Sequence, residues 1–578
     1  MNILEKYEKY LYLIFLIGIV IYFPIFFNGF VWDDLTFVIN NSQVHQLNLP
    51  LLLGSNDFNS GPFYRPLPAV YFSIVYSLFG KAAFFYHLLQ LLLHIVGTFL
   101  LFIFFCTFFE EYIAFFLCLI FLVHPINVES VAYIGSTQSE LYFIPGISAL
   151  LLAQKKHLSN RRFYSIFFFL LISIFTKEVG FLFLFLTIFY RFIFKLSDIK
   201  RFLIFTGLSI IIYILMRVFY GGVTYSVITF VPIASLSLYQ RLLNIPAILI
   251  YYIKTFIFPT QLMIWQFWAV KMVSLNSFFF PLILDLLIFG FMLVIGFFLL
   301  QRQRKGNKHD KQYFTIYLFF FIWFIIGLGM LLQIVPLDMT VADRWFYFPI
   351  AGLLGMVGVS FTAWLPTFKT HKKQYILIAS ILLLLLATRT FIRTFDYKDN
   401  PTLLGHDIRE GNNNPNMMEV YEQVLWNANK KSEACNIIKR SAAITQDAWN
   451  MTEVGNCYQM NQQYDEAITA YKRALQIFSL SPKVYLSLND TPNTIYYNLA
   501  QALILADRPQ EAIDLINNQA LPKYPGDTVL KQLLNNAESE ANEDNSLIQN
   551  VAPSTSSFQN QSGIGVPSSF QQTSVPML

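Results

Sequence analysis

Long apolar runs, separated by short polar clusters, fill the first two thirds of the chain. Runs such as LYLIFLIGIVIYFPIFF recur between residues 1 and 395 with almost no charge inside them. Helices of about 15 to 25 such residues are long enough to cross a bilayer. The pattern therefore predicts a polytopic all-α membrane domain. It has about eleven crossings, near residues 11–27, 84–108, 112–123, 136–153, 163–176, 178–194, 202–219, 277–300, 313–332, 346–365 and 375–393.

Composition supports a membrane protein and disfavours a soluble one. Hydrophobic residues make up 55% of the chain and charged residues 13%, whereas soluble proteins carry about 25% charged residues. The net charge of +5 is small for this length and no nucleic-acid-binding motif is present, so no nucleic acid partner is expected. Lys6 and Lys9 precede the first apolar run and no small-residue cleavage site follows it, which predicts a retained helix and not a signal peptide.

Basic clusters indicate the orientation, because short cytoplasmic loops are enriched in Lys and Arg. The predicted cytoplasmic clusters are Lys6 and Lys9; Lys155, Lys156, Arg161 and Arg162; Lys195, Lys200 and Arg201; QRQRKGNKHDK at 301–311; and Lys369, Lys372 and Lys373. With these loops inside, the apolar stretch 244–258 has to be interfacial or re-entrant. The loop 28–68 and the C-terminal region then lie on the non-cytoplasmic side.

A repeat of tetratricopeptide type is predicted in the polar region 396–535. Its clearest unit has small and aromatic residues with spacings of 3, 9, 4 and 3, at Gly455, Tyr458, Ala467, Tyr471 and Ala474. Ala434 and Ala512 align with Ala467 in two similar but less regular units, so about three repeats are expected. A generic array of helical hairpins is the alternative. Such arrays bind peptides and proteins on their concave surface.

Residues 536–578 are rich in Ser, Asn and Gln and contain scattered Pro. This composition buries too little apolar surface to fold, so a disordered tail is predicted.

The four cysteines have no metal-site spacing. Cys106 and Cys118 lie in apolar runs. Cys435 and Cys457 would be able to form a disulfide in an oxidising compartment, but buried free thiols are the favoured expectation for the pair.

Ionisable residues beside membrane helices are candidates for function, because burying them in hydrocarbon is costly. Ten of them fall on the predicted non-cytoplasmic edge: Asp33, Asp34, Arg65, His124, Glu129, Glu140, Lys177, Glu178, Asp343 and Arg344. Structural roles are open for many of them. These roles are a helix cap for Asp33 and Asp34, snorkelling to head groups for Arg65, a satisfied histidine for His124, mutual pairing for Lys177 and Glu178, and stacking on Trp345 or Tyr347 for Arg344.

Taken together, these residues fit a group-transfer reaction at the outer membrane face. A carboxylate such as Asp33 would accept the proton of an incoming hydroxyl, and Arg344, Arg65 or Lys177 would neutralise a departing phosphate. A substrate with that leaving group, dissolved in the bilayer, is a polyprenyl-phosphate sugar.

Five motifs, in order and followed by repeats, resemble the transmembrane and tetratricopeptide-repeat O-mannosyltransferases, the TMTC family of the GT-C glycosyltransferase class. The motifs are VWDDLTFVINN, YRPL, HPINVESVAYIGSTQSELY, TKEVGF and ADRWFYFP. The resemblance implies an inverting transferase that moves mannose from a polyprenyl-phosphate donor to Ser or Thr of proteins. It also implies a GT-C-like domain over residues 1–395.

The resemblance assigns the catalytic residues to Asp33 and Asp34, with Asp33 as the general base. The other eight ionisable residues, among them Arg65, Lys177 and Arg344 for the phosphate, are assigned to substrate binding. No cofactor and no metal are expected, as in related enzymes that use monosaccharide-phosphate lipids. The chain departs from the family in its short repeat region and in Gln138 and Ser139, where an arginine-containing variant is expected.

Strong use of Phe, Ile, Lys and Asn suggests a bacterial member. The expected location is then a bacterial inner membrane with periplasmic repeats; the alternative is an endoplasmic reticulum membrane with lumenal repeats. Two other functions are open: a transferase that modifies an envelope glycan or lipid, and an inactive membrane-anchored repeat scaffold.

Overall fold

The fold was analysed in a computed structural model that describes residues 3–54, 64–221, 231–305, 312–364, 372–480 and 492–549. These residues are helical and contain no β-strand, which confirms the all-α prediction. Four sequence predictions lie wholly or partly outside the described residues: the basic loop from 306 to 311, Lys369, the connection 481–491, and the tail beyond 549. The described residues form two compact units that divide between Glu410 and Gly411.

The first unit contains seventeen described α-helices. In chain order they are α1 (Ile3–Ile21), α2 (Leu49–Gly54), α3 (Pro66–Phe79), α4 (Ala83–Phe105), α5 (Glu111–Val123), α6 (Val128–Ala132), α7 (Gln138–Ala153), α8 (Asn160–Thr176), α9 (Gly180–Ile193), α10 (Ile199–Met216), α11 (Leu238–Leu242), α12 (Ile245–Ile257), α13 (Phe280–Lys305), α14 (Tyr313–Gly329), α15 (Pro349–Trp364), α16 (Lys372–Thr394) and α17 (Asn400–Arg409).

Each of the eleven predicted crossings corresponds to a helix of the structure. The apolar stretch 244–258 forms α12, whose 13 residues are too few for a straight crossing. The sequence prediction missed α3, which has Pro66 and Pro68 in its first turn. Proline is favoured at the start of a helix because its fixed φ suits the first turn and its missing N–H has no partner there.

Four described helices are long and apolar enough to cross a membrane by length and composition: Ala83–Phe105, Ile199–Tyr220, Leu275–Arg304 and Lys373–Tyr397. A fifth is added if the bent pair α5 and α6 counts as one span. The predicted count of eleven crossings is not confirmed. Four further apolar helices, α3, α9, α14 and α15, have 14 to 17 residues, or about 21 to 26 Å, against about 30 Å of hydrocarbon.

Close packing of α14 on α15 fixes the segment between them, which carries the ADRWFYFP motif. A Cβ at Gly355 would lie 2.2 Å from the Phe320 ring, and a Cβ at Gly352 would lie 2.6 Å from the backbone of Phe324. Glycine at these positions lets the two helices approach closely, as in many membrane helix pairs. The Trp323 indole donates to the Phe348 carbonyl at 3.1 Å, which ties the end of the motif to α14.

The basic loops and the candidate site residues lie at opposite ends of the same helices. At the basic end, the Arg191 guanidinium donates to the carbonyls of Ala153 and Lys155 at 2.7 and 3.0 Å, which joins two predicted cytoplasmic loops. At the other end of α7 and α8 lie Gln138 and Lys177. This arrangement agrees with the separation that the basic clusters predict.

The second unit consists of seven described α-helices in which successive helices pack together. They are α18 (Pro415–Asn427), α19 (Lys431–Ile444), α20 (Ala448–Met460), α21 (Tyr464–Leu480), α22 (Pro492–Leu505), α23 (Pro509–Leu515) and α24 (Thr528–Gln549). A Cβ at Gly455 would lie 2.5 Å from the Tyr471 ring. The predicted small residue therefore allows α20 and α21 to meet, while the assignment of these pairs as tetratricopeptide repeats stays a prediction.

Two predicted boundaries shift. The first domain continues past residue 395, because α17 belongs to the first unit: Asp407 accepts hydrogen bonds from the backbone of Ile264 and Trp265 at 3.3 and 2.8 Å. The predicted tail at 536 lies within α24, which extends to Gln549 because Leu533 and Ala537 of this helix are buried in the core of the unit.

The expectation of free thiols at Cys435 and Cys457 is wrong, since the two residues form a disulfide. Cys435 lies on α19 and Cys457 on α20, and both are buried in one apolar cluster with Ile438 and Val454. Helix packing brings them together from 22 residues apart in the sequence. Cys106 and Cys118 are free.

Candidate functional site

The two adjacent aspartates of the first loop have different surroundings. Asp34 is fully buried, and its carboxylate accepts hydrogen bonds from the backbone N–H of Val31 at 2.9 Å and of Gly135 at 2.6 Å. Both of its oxygens are thus engaged with backbone. Asp34 holds its own loop and fastens that loop to the segment 133–140, which is a positioning role.

Asp33 retains an oxygen available for chemistry. Its Oδ2 accepts a hydrogen bond from the Tyr133 hydroxyl at 3.1 Å, and its Oδ1 is buried without a hydrogen-bond partner in the described part of the chain. Burial raises the pKa of this carboxyl to about 7, while the Arg344 charge and the Tyr133 hydrogen bond oppose the rise. A carboxylate with a pKa near neutrality is well matched to accept a proton.

Trp32 fixes the direction of the loop at Asp33. It has φ of +54°, in the left-handed region that side chains other than glycine rarely adopt. Its N–H donates to Asn400 at 2.7 Å and its ring meets the Trp265 ring edge-on at 4.8 Å. Contacts with distant segments therefore maintain this conformation, as is common at functional sites.

Arg344 is a cation whose charge acts on the Asp33 carboxylate. Glu129, 2% exposed, accepts a hydrogen bond from the Arg344 backbone at 3.0 Å and forms an ion pair with its guanidinium. The guanidinium also lies 5.8 Å from the centre of the Tyr133 ring, whose hydroxyl binds Asp33. Glu129 thus positions Arg344, and Tyr133 links it to Asp33.

A second group of charges, from the YRPL and TKEVGF motifs, adjoins the first. The Arg65 side chain donates twice to Glu178 Oε2 at 2.8 Å and once to Gln138 Oε1 at 3.2 Å. Lys177 is half-buried beside this pair, and its ammonium has no hydrogen bond or ion pair among the described residues. Burial, together with the Arg65 and Arg344 charges, lowers the pKa of Lys177 to about 7.

Three predicted site residues are buried behind this edge. His124 donates from Nε2 to the Phe256 carbonyl at 2.9 Å and accepts at Nδ1 from the Ile126 N–H at 3.1 Å, so both nitrogens are engaged with backbone. Asp343 accepts from the Tyr251 hydroxyl at 2.6 Å. Glu140 is fully buried, without a hydrogen-bond partner in the described residues. His124 and Asp343 are thus held by hydrogen bonds within the fold, whereas neither carboxylate oxygen of Glu140 has such a bond.

Sequence reasoning missed Tyr133 and Asp338. Tyr133 lies inside a quoted motif but is not ionisable at neutral pH, so a search for charge overlooks it. Asp338 lies in the loop between α14 and α15, half-buried, and its negative charge raises the pKa of both Asp33 and Lys177. The only sequence signal for Asp338 is a lone acid in an apolar stretch, five residues before Asp343.

An apolar cavity of about 390 Å³ between α13, α14 and α15 does not belong to this site. It is lined by Phe291, Met292, Tyr317, Met356 and Trp364. Trp364 ends α15, whereas Arg344 precedes the start of that helix. The cavity and the charged residues are therefore at different ends of α15.

No group of three or more His, Cys, Asp or Glu residues is arranged to hold a metal ion in the ranges that the structure describes. Whether the reaction needs a metal stays a prediction.

No family model matches the chain. Among curated proteins, it is 31% identical over 181 residues to "Protein O-mannosyl-transferase F38B6.6" of Caenorhabditis elegans, which covers 28% of this chain and 25% of that protein. It is 30% identical over 135 residues to human "Protein O-mannosyl-transferase TMTC3", covering 21% and 15%. It is 34% identical over 116 residues to human "Protein O-mannosyl-transferase TMTC1", covering 18% and 13%.

The chain is similar to TMTC proteins. This confirms the resemblance that the five motifs indicate. The matched stretch spans a quarter or less of the length of these TMTC relatives. No solved structure matches the chain.

The structure links four of the predicted site residues, while their roles stay a prediction. The motifs place Asp33, Arg65, Lys177 and Arg344 in four separate segments of the sequence. In the structure, hydrogen bonds and charge interactions connect all four. The apolar helices around them fit a multi-pass membrane protein.

Proposed function

We propose that the chain is a membrane glycosyltransferase that moves mannose from a polyprenyl-phosphate donor to a Ser or Thr hydroxyl of a protein. The observation that carries the proposal is the free oxygen of Asp33 near Arg344, whose charge also acts on Lys177. A base next to two cations is the arrangement needed to activate a hydroxyl while a phosphate departs. The names of the relatives supply mannose and protein as the expected sugar and acceptor.

In the proposed reaction the acceptor oxygen attacks the anomeric carbon of the sugar. The hydroxyl proton passes to Asp33, and the bond between the anomeric carbon and the phosphate oxygen breaks. The lipid phosphate leaves with the bonding electrons and an added negative charge. A single displacement of this kind inverts the anomeric configuration.

Lys177 and Arg344 are the proposed phosphate ligands. Lys177 has its donors available, and an ammonium offers three of them to phosphate oxygens. Arg344 is held by Glu129 on one side and faces Tyr133 on the other. Arg65 is engaged with Glu178 and Gln138, so its proposed role is to hold the segment that carries Lys177.

The proposed setting is the non-cytoplasmic side of a bacterial inner membrane, with a GT-C-like domain and tetratricopeptide-like repeats that bind the acceptor. The disulfide between Cys435 and Cys457 supports a non-cytoplasmic location for the second unit, because disulfides persist in oxidising compartments. The position of the basic loops opposite the site supports the same orientation.

The test uses the full-length protein in lipid nanodiscs with two radiolabelled donors, polyprenyl-phosphate mannose and a soluble mannose nucleotide. The expected result is transfer of label to Ser or Thr of membrane proteins from the lipid donor alone. Transfer from the nucleotide alone, or no transfer from either donor under conditions where the lipid donor binds, contradicts the proposal. Release of the label by β-elimination distinguishes an O-linked protein product from a labelled glycan or lipid.

A further inference from the structure

A polar stripe runs across three neighbouring helices of the second unit. It consists of an acidic part, Glu419 and Glu422 of α18 and Glu453 of α20, and an amide part, Asn456 and Gln459 of α20 and Asn498 and Gln501 of α22. The amide part is continuous between helices, since Asn498 donates to Asn456 at 3.0 Å and Gln459 donates to Gln501 at 3.3 Å. We name these seven residues the acidic–amide stripe.

The carboxylate of Glu422 is buried without a hydrogen-bonding or oppositely charged partner from the described residues. Its side chain is 2% exposed, yet it has no hydrogen bond and no ion pair within the described residues. Its charged neighbours are Glu419 and Glu453, and together with burial they raise its pKa. Burying a carboxylate among like charges is costly unless it is protonated or a cation joins it.

A buried side-chain oxygen next to Glu419 also lacks a partner. Asn450, fully buried on α20, donates to the Thr445 carbonyl and to Asp447, and it also hydrogen-bonds Glu419. Its own Oδ1 accepts no hydrogen bond in the described structure. An unsatisfied acceptor next to unbalanced carboxylates indicates that the missing ligand is a hydrogen-bond donor.

The chemistry of the stripe favours a cationic side chain on a peptide over a metal ion. No three of its acids are arranged as metal ligands in the described residues. An ammonium has three donors and a guanidinium five, and the neighbouring amides match the donors and acceptors of an extended peptide backbone. We propose that the acidic–amide stripe binds a Lys- or Arg-bearing extended segment of the acceptor protein. The statement that this segment belongs to the acceptor protein rests on the function proposed above.

The charges of the packed helices leave Glu422 without a cation among the described residues. The charged groups that act on Glu419 and Glu422 are all acidic: Asp447, which precedes α20, acts on Glu419, and Glu453 and Glu419 act on Glu422. From α21, the Tyr471 hydroxyl group feels the charge of Glu453. The lysines of α19 nearest in the sequence, Lys431 and Lys439, lie over the rings of Trp426 and Tyr458, at 5.4 and 4.1 Å from the ring centres. Neither forms an ion pair with Glu422 in the part of the chain that the structure describes.

Binding of a cation is therefore linked to proton release. Burial raises the pKa of Glu419 to about 8 and that of Glu422 in the same direction. At neutral pH these carboxyls hold protons that an incoming cation has to displace. Affinity for a Lys peptide should then rise between about pH 6 and about pH 9, where lysine itself stays charged.

The experiment measures fluorescence anisotropy of short extended peptides with the full-length protein in nanodiscs. Three peptides share one backbone and differ at spaced positions that carry Lys, Gln or Glu. The Lys peptide should bind about tenfold or more tightly than the Gln peptide, since the difference is one charge-assisted contact. E422Q should remove that preference. The matched control is E466Q, an exposed acid of α21 outside the stripe.

Equal binding of the three peptides, absence of binding, or an unchanged Lys preference in E422Q overturns the proposal. If E422Q fails to fold, the same peptide comparison is made with E453Q, and an unchanged Lys preference overturns the proposal. The pH dependence of the wild-type protein is a second test, and an affinity for the Lys peptide that does not rise with pH overturns the proposal. Mannosyl transfer without selectivity for the Lys peptide contradicts the proposed role of the acidic–amide stripe but leaves the proposed function intact. Lys-selective binding without mannosyl transfer supports the stripe and overturns the proposed function.

Discussion

Charge is arranged in opposite ways in the two units of the molecule. In the first unit, Glu129 is paired with Arg344 and Glu178 with Arg65. Close to these pairs, one oxygen of Asp33 and the ammonium of Lys177 have no partner among the described residues. In the second unit, three acids adjoin one another without a paired cation at Glu422.

The difference indicates how each region is completed. Paired charges in the first unit are fixed in place before a substrate arrives, which is the preorganisation that lowers a reaction barrier. Unbalanced acids in the second unit are costly until a cation from another molecule joins them. A rigid site suits chemistry, and an unbalanced surface suits recognition.

The largest expected effect comes from breaking the pairing in the first unit. Arg344→Gln leaves Glu129 buried and unpaired, which should destabilise the protein by about 3 to 5 kcal/mol and abolish transfer. The measurement is thermal unfolding in detergent together with the transfer assay. The double variant Glu129→Gln with Arg344→Gln removes both charges and should recover most of the stability but no activity. Full activity in the double variant contradicts a role of Arg344 in the site.

Loss of the disulfide should have the next largest effect. Replacement of Cys435 and Cys457 by Ser removes a cross-link between residues 22 positions apart, and the expected cost is about 3 kcal/mol. Limited proteolysis of the second unit measures the loss. The control is Cys106→Ser in the first unit, a free cysteine, which should leave the cleavage pattern of the second unit unchanged. An unaltered pattern in the double Ser variant contradicts the bond.

The sequence predicted the helices of the first unit more completely than the roles of its polar residues. Apolar runs between basic clusters locate helices because both features are local in the chain. The roles of Asp33 and Asp34 depend on contacts about a hundred residues away, with Tyr133 and with the Gly135 N–H. No local pattern distinguishes two adjacent aspartates whose partners lie on another segment.

Tertiary contacts also explain the other differences. The Cys435–Cys457 bond requires α19 and α20 to pack side by side, and spacing alone leaves the pair open. The first unit extends to residue 410 because Asp407 binds a loop more than a hundred residues earlier. Composition gave no sign of this contact, since α17 is polar like the region that follows it.

A pH profile sharpens the view that Asp33 and Lys177 are the two groups left for chemistry. With the pKa of each at about 7, kcat/KM should rise as Asp33 loses its proton and fall as Lys177 loses its own, giving a narrow maximum near neutrality. In Lys177→Arg the cation stays protonated, so the alkaline limb should disappear while the acid limb remains. An alkaline limb at the same pH in this variant excludes Lys177 as its origin.

The smallest expected effect concerns Tyr133. Its hydroxyl donates to Asp33 and lowers the pKa of that carboxyl. Tyr133→Phe should therefore move the acid limb of the profile to higher pH and reduce kcat/KM at neutral pH about fivefold, from the loss of about 1 kcal/mol. Tyr71→Phe is the matched control, because it also removes a buried tyrosine hydroxyl, but one that has no hydrogen-bond partner in the described residues. This control should leave the acid limb unchanged.

Transfer of mannose from the lipid donor by Asp33→Asn is the most direct test of the account. The variant should bind the donor like the wild-type protein and transfer the sugar about a hundredfold to ten-thousandfold more slowly, the usual contribution of a general base. The control Glu110→Gln alters an exposed acid at the start of α5 and should transfer at the wild-type rate. Transfer by Asp33→Asn at the wild-type rate contradicts the assignment of the base.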